Sequence, residues 1–370
     1  MGKGYFRSLG RRVKNRLLHQ NEPLTPKPTE ETAAATATAT ETSLYGVLVW
    51  HDCPHATVDV CFVHGLTGDR DRTWTAQGQP DPWPKTLLPP ELPNARILTY
   101  GYDAYFMTEG VSSGNRLIDH ARNLVSELTT NRRANNAENR PLIFIVHSLG
   151  GLVTKKGLLL SHDNREDHLQ GIFKCTKSII FMGTPHRGSW MADWAKIPVS
   201  ALGVVKSVNG RLLKTLASDG ELLESIQEDF SRLLRRMAMS ETPIEITCFF
   251  EELPLPVVGK VVERESATLP DYNAISIHAN HREMARFRSN EDRGFKEVSS
   301  LLLKWQREVE YVIRTNPPSP FYAEYGLTGH FPRLGRSMRS ALVEIRQLTE
   351  IFEECRNYVS LATHLGQYQS

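Results

Sequence analysis

The chain is expected to adopt an α/β fold, a mostly parallel sheet with helices on both faces. Short apolar runs of strand length alternate with helical patterns along most of the sequence, at Tyr45–His51, Val58–Val63, Ala95–Tyr102, Leu142–His147, Ser178–Met182 and Ile244–Phe250. These runs are apolar almost throughout, as strands buried on both faces are. Two of them stop abruptly at polar, glycine-containing turns, His64-Gly65-Leu66-Thr67-Gly68 and His147-Ser148-Leu149-Gly150-Gly151. In open parallel sheets such strand-end turns are where chemistry is placed.

The elements follow in order. The first three strands are Tyr45–His51, Val58–Val63 and Ala95–Tyr102. Behind a Ser cap, Ser113–Thr130 carries Leu117, Ile118, Ala121, Leu124, Val125 and Leu128 on one face at helical spacing. Leu142–His147 breaks at Ser148, and a helical pattern resumes from Gly150. After Ser178–Met182 the strand signal disappears between Gly183 and Thr242, where Arg211–Leu216 and Glu221–Met237 read as helices. They form either a helical cap over the site or ordinary crossover helices. Ile244–Phe250 is the last strong strand, Ile275–Asn280 a strand-to-loop edge, and Glu283–Phe287 the start of a helix. The body closes with Gly294–Glu308, whose Phe295, Val298, Leu301, Leu302 and Trp305 share a face, before Pro317, Pro318 and Pro320.

Composition narrows the function classes. A chain of 370 residues that is 40% hydrophobic can bury a full α/β core, and a formal charge of +2 argues against a nucleic-acid binder. Cys53, Cys61, Cys175, Cys248 and Cys355 are odd in number and scattered, which fits free thiols better than a disulfide or zinc framework. No stretch reaches the roughly 18 uninterrupted apolar residues of a spanning helix.

Three segments are expected: a disordered basic arm over 1–43, a body over 44–310, and a proline-rich linker with an amphipathic helix over 311–370. Lys3, Arg7, Arg11, Arg12, Lys14 and Arg16 precede the first acid, Glu22. Such an arm resembles a mitochondrial presequence or a segment for peripheral membrane contact, and reads equally as a solvated tail. Phe6 stands where a myristoylation site needs Ser or Thr. Near the C-terminus, Met338, Ala341, Ile345, Leu348, Phe352, Cys355, Val359 and Ala362 recur at spacings of three and four. That seam serves self-association, or folds back on the body.

The turn at Ser148 carries the chemistry. A buried strand that ends on serine and passes straight into a helix is a nucleophile elbow, which lifts the hydroxyl above the sheet edge. Val146 departs from the small residue usual two places before the serine, whereas Gly150 supplies the one two places after. The amide of Leu149, and that of Leu66 after the His64-Gly65 pair, are the expected oxyanion donors. A base and an acid should complete the set in the order serine, acid, histidine. Of thirteen histidines, His278, His281, His330 and His364 follow the last strong strand. His281 lies at a strand-to-helix transition, His278 is second choice, and His330 and His364 lie beyond the closing helix. Glu251 and Glu252 come first after the strand, with Glu263, Glu265 and Asp271 more distant.

Six spaced segments together carry a resemblance: Trp74, WPKTLLPPELPNARILTYGYDA over Trp83–Ala104, HSLGGLV over His147–Val153, FMGTPHRGS over Phe181–Ser189, FFEELP over Phe249–Pro254, and HREMARF over His281–Phe287. From about Tyr45 to Glu308 the chain resembles the lipase-like α/β-hydrolases of the serine-active-site-containing, DUF676-related family, a domain also found at the N-terminus of fungal NACHT and ankyrin-repeat proteins. The resemblance implies the α/β-hydrolase fold and cleavage of a lipid or acyl ester without metal or organic cofactor. It implies Ser148 as nucleophile, His281 as base and Glu251 as acid. It also implies that Gly183-Thr184-Pro185-His186 shapes the mouth of the pocket, with His186 structural because it precedes the acid. No phosphate-binding loop of the G-x-x-x-x-G-K-[ST] kind is present. The reading from another class is a non-catalytic interaction or signalling module built on the same fold.

Overall fold

The computed structural model describes residues 45–65, 68–103, 113–187, 220–240, 243–256 and 258–315. The basic arm, Leu66, the Arg211–Leu216 stretch, His330 and the C-terminal seam lie outside the described residues.

Strands β1 (Gly46–His51), β2 (Val58–Val63), β3 (Ala95–Gly101), β4 (Leu142–His147), β5 (Thr176–Met182), β6 (Glu245–Glu251) and β7 (Asn273–Ile277) form one seven-stranded sheet in the order β1-β3-β2-β4-β5-β6-β7. β1 runs antiparallel to β3, and every other pairing is parallel. The order reverses around β2: the chain leaves it for β3 on one side and returns past it to β4 on the other. The C-terminal ends of β2 and β4 therefore meet at a topological switch point, where open α/β sheets form their crevices.

The two faces are covered by different helices. α1 (Ser113–Ala134), α2 (Gly150–His162), α3 (Asp167–Cys175) and α4 (Gly220–Ala238) pack on one face with Val63, Leu98, Phe144, Val146 and Phe181. α5 (Arg293–Thr315), with Trp74 and Trp83, packs on the other against Val60, Phe62, Ile143, Ile145 and Ile180. Neighbouring residues of β4 thus serve opposite layers, as the two-residue period of a strand demands.

α4 buries Leu223, Ile226, Phe230, Leu233 and Leu234 in the sheet-facing core. Of the two readings for the stretch before β6, this helix takes the crossover one. Glu283–Phe287 does not continue as a helix: only Glu283–Ala285 forms a single 3-10 turn, and Arg286 is extended. Trp83 Nε1–H donates to Ala285 O at 2.9 Å, and Phe287 packs between the rings of Trp83 and Phe295, which ends the turn. α5 runs past the expected Glu308 to Thr315, and Val309 still lies on its buried face.

α1 likewise passes Thr130, because Arg132 is buried on it. The Arg132 guanidinium reaches Asp59 in β2 at 2.7 Å, where Arg96 of β3 donates twice, at 3.1 and 3.2 Å, and Arg140 once, at 2.9 Å. Arg132 also donates to the backbone oxygen of Arg140. One buried carboxylate thereby ties two strands, a helix and the loop before β4 at the end of the sheet away from Ser148.

Candidate active site

β4 ends in a turn that only a specific environment can hold. Ser148 has φ of 54°, in the left-handed region that costs an L-residue roughly 1–3 kcal/mol. Its N–H donates to Met182 O at 2.9 Å, and its carbonyl accepts from Gly151 N at 3.1 Å and Thr184 Oγ1 at 3.0 Å. The glycines are required by space. A Cβ on Gly150 would lie 2.3 Å from His64 O and 2.7 Å from Val63 O, so α2 can start against the end of β2 only without one. A Cβ on Gly65 would meet the Ser148 Cβ at 2.8 Å, so the His-Gly turn and the serine turn are in contact. Val146 needs no glycine: it pairs in register with Val63 and Phe181 and buries its side chain in the helix-covered layer.

Of the two expected oxyanion donors, Leu149 is among the described residues. Leu149 is the residue from which α2 starts, where helix amides have no intrahelical acceptor. On the other side the His64 ring fixes the turn leading to Leu66. Its Nδ1–H donates to Gly65 O at 2.9 Å, its Nε2 accepts from Tyr102 N at 3.2 Å, and Tyr102 stacks on it at 4.4 Å while its hydroxyl donates to His64 O. Burial pushes His64 down to about 4, which keeps the ring neutral in that role.

Glu251 and His281 are brought together, whereas the exposed runners-up pair with each other. Glu251 ends β6, is buried, and accepts at Oε1 from the amides of Val261 at 2.5 Å and Val262 at 2.8 Å. Its Oε2 faces His281 Nδ1 at 3.7 Å. That separation is too long for a hydrogen bond, but catalytic contacts commonly tighten when substrate binds. His278 meets Glu252 at 2.7 Å on the surface, and its side chain is 75% exposed. Glu263, Glu265 and Asp271 are exposed as well. His186 is buried against Lys155.

The His281 ring lies on Gly183, where a Cβ would stand 2.9 Å from its Cε1, and against the ring of His147 at 4.9 Å. His147 was not foreseen. A carbonyl can only accept, so its Nε2–H donates to His281 O at 2.9 Å and ties the histidine loop to the residue before Ser148. The only sequence signal for it was its place beside the serine.

Burial moves both partners of the Glu251–His281 pair toward their neutral forms. Glu251 is pushed up to about 7, with the two amides pulling back, and His281 is held well below the usual imidazole value by burial and by neighbouring His147. A neutral imidazole packed against the residue before a serine on a strained turn can accept a hydroxyl proton once the two meet. The adjacent helix start can hold a developing negative charge. A strand-end serine elbow at the switch point of a mostly parallel sheet, followed in chain order by acid and histidine, decides the architecture.

The chain has the α/β-hydrolase fold. No family profile matches it. It is 29% identical to human protein SERAC1 over 253 residues, which covers 60% of this chain and 35% of that protein, and 27% identical to the Danio rerio protein SERAC1 over 248 residues with the same shares. The chain thus spans about a third of the length of the curated relatives it matches. Among solved structures, the Bacillus licheniformis lipase BlEst2 is 14% identical, with 70% of this chain and 97% of that one covered at a TM-score of 0.45.

Proposed function

We propose that this protein is a serine hydrolase that cleaves a carboxylic ester, with a lipid or acyl ester as substrate. The observation that carries the reading is the positive φ of Ser148, which sets a hydroxyl-bearing residue on a strained turn beside a helix start. Strain of that kind persists where surrounding structure over-determines it, and nucleophile elbows are such places.

In the proposed reaction the Ser148 oxygen attacks the ester carbonyl while His281 Nε2 takes the hydroxyl proton. The amides of Leu149 and Leu66 hold the oxyanion, and ionised Glu251 orients and stabilises the imidazolium. The imidazolium then protonates the departing alcohol, leaving an acyl group on Ser148. Water, deprotonated by His281, releases the acid and restores the serine.

The reading is tested with p-nitrophenyl esters of graded chain length. His281→Ala should lose at least about 10⁴-fold in kcat, whereas His278→Ala should stay within about twofold, as expected of an exposed surface pair. If His278→Ala is the inactive variant, the base is misassigned. A wild type that turns over none of the esters would favour the interaction-module reading instead.

The acid makes a separate prediction about pH. The active form needs Glu251 ionised and His281 neutral, and Glu251 is protonated below about 7. Activity should therefore fall as pH drops through about 7 and be full above it. Glu251→Gln should lower the plateau by about 10³- to 10⁴-fold and remove that limb. A wild-type profile flat from pH 8 to pH 5 would contradict the role of Glu251.

A further inference from the structure

Lys155 is fully buried in α2, and the groups described around its amine offer it no carboxylate. Nζ lies 2.6 Å from His186 Nδ1 and donates to Gln227 Oε1 at 2.7 Å, with the rings of Phe181 and Phe230 at 5.0 and 5.7 Å from it. On its other edge, His186 Nε2 faces Cys248 Sγ at 3.7 Å. Burial holds both Lys155 and His186 well below their usual values. An amine in such a place opposes folding, and an apolar side chain of the same length would fill it at no such cost.

What the amine reaches is the loop Gly183–His186, which lies against Ser148 and His281. The Gln227 amide donates on to Pro185 O at 2.8 Å, and the His186 N–H is anchored on Ser266 O at 2.6 Å. At the loop's other end Gly183 N donates to Phe249 O at 2.8 Å, and its Cα faces the His281 ring. Between them Thr184 Oγ1 donates to the Ser148 carbonyl at 3.0 Å and packs on Gly151, where a Cβ would lie 2.3 Å away. Thr184 thus bonds to Ser148 and Gly183 packs on His281, whereas Pro185 and His186 bond toward Lys155.

We propose that Lys155 is a positioning residue: through His186 and Gln227 it holds the loop Gly183–His186 against Ser148 and His281, and so keeps nucleophile and base in register. The inference rests on the hydrolase reading above. It assigns a task to the Gly-Thr-Pro-His segment, which the catalytic set itself does not use. Lys155 touches neither substrate nor reacting atoms, so its removal should act on the rate and leave binding alone.

The test is Lys155→Met, which keeps the length and removes the amine. Displacement of a reacting group by about 1 Å is worth on the order of 10²-fold in rate. The variant should therefore lose about 10²-fold in kcat per folded molecule and keep KM within about twofold. A purely structural lysine would leave kcat per folded molecule unchanged whatever the shift in melting temperature, and that result overturns the proposal. His186→Asn and His186→Phe provide the second arm, which decides the matter if Lys155→Met does not fold. The Asn Oδ1 stands near the place of Nδ1 and can still accept from Lys155, so Asn should retain most of kcat where Phe does not. Equal activity of the two would overturn the proposal. Failure of the hydrolase reading looks different, because the wild type itself would then neither turn over esters nor react with a fluorophosphonate.

Discussion

Replacing Ser148 with alanine is expected to lower ester turnover by about 10⁶-fold, the loss seen when the nucleophile of a well-studied triad is removed. The magnitude follows from the mechanism: without the hydroxyl there is no acyl-enzyme, and only binding and the oxyanion amides remain. Folding should not suffer. Ser148 contributes its backbone to the turn, with its N–H on Met182 O and its carbonyl under Gly151 N and Thr184 Oγ1, and alanine preserves all three contacts. Far-UV circular dichroism and the melting temperature should match wild type while turnover vanishes. An alanine variant that hydrolyses at even a tenth of the wild-type rate would show that the serine is not the nucleophile.

The second large effect is on stability and lies at the opposite end of the sheet. Asp59→Ala would leave Arg96, Arg132 and Arg140 without their shared carboxylate, and the side chains of Arg96 and Arg132 are each only 1% exposed. Breaking a buried pair by removing one partner costs about 3–5 kcal/mol, because the remaining charge stays buried without compensation. Set against a typical total of about 5–15 kcal/mol, that is a large share of the stability. At about 2–4 °C per kcal/mol for a body of this size, the melting temperature should fall by roughly 6–20 °C. Asp59→Asn, which keeps an acceptor oxygen, should lie in between. A shift of less than about 2 °C for Asp59→Ala would mean that the cluster contributes little.

The difference between these two sites also marks what could be read from the chain. The strands were legible because β2, β3 and β4 are apolar on both faces, and the serine elbow because a strand ran into Ser148 without a loop. Chain order put His281 ahead of His278 and left several acids open, the resemblance implied Glu251, and the structure brings Glu251 and His281 face to face. Asp59 gave no comparable signal: inside the run VDVCFV it reads as an interruption, and its three arginines come from 37, 73 and 81 residues away. α3 was missed for a related reason, since Asp167–Cys175 is short and contains Gly171. The overlong helix expected at Glu283–Phe287 failed because tertiary packing of Phe287 between Trp83 and Phe295 outweighed local pattern. Lys155 was invisible as a site neighbour, and so was the contact of His147 with the His281 loop, because only the fold brings those loops against them.

The central claim is that Ser148 is an activated nucleophile. A fluorophosphonate reacts with a serine made nucleophilic by its base and stays attached to it, so the position of the adduct reports the active residue directly. Full-length wild-type protein treated with the probe, digested and analysed by mass spectrometry, should carry the adduct on the peptide containing His147-Ser148-Leu149. Labelling should be lost in Ser148→Ala and strongly slowed in His281→Ala. An adduct on any other serine, or a folded wild type that takes up no probe, would contradict the account.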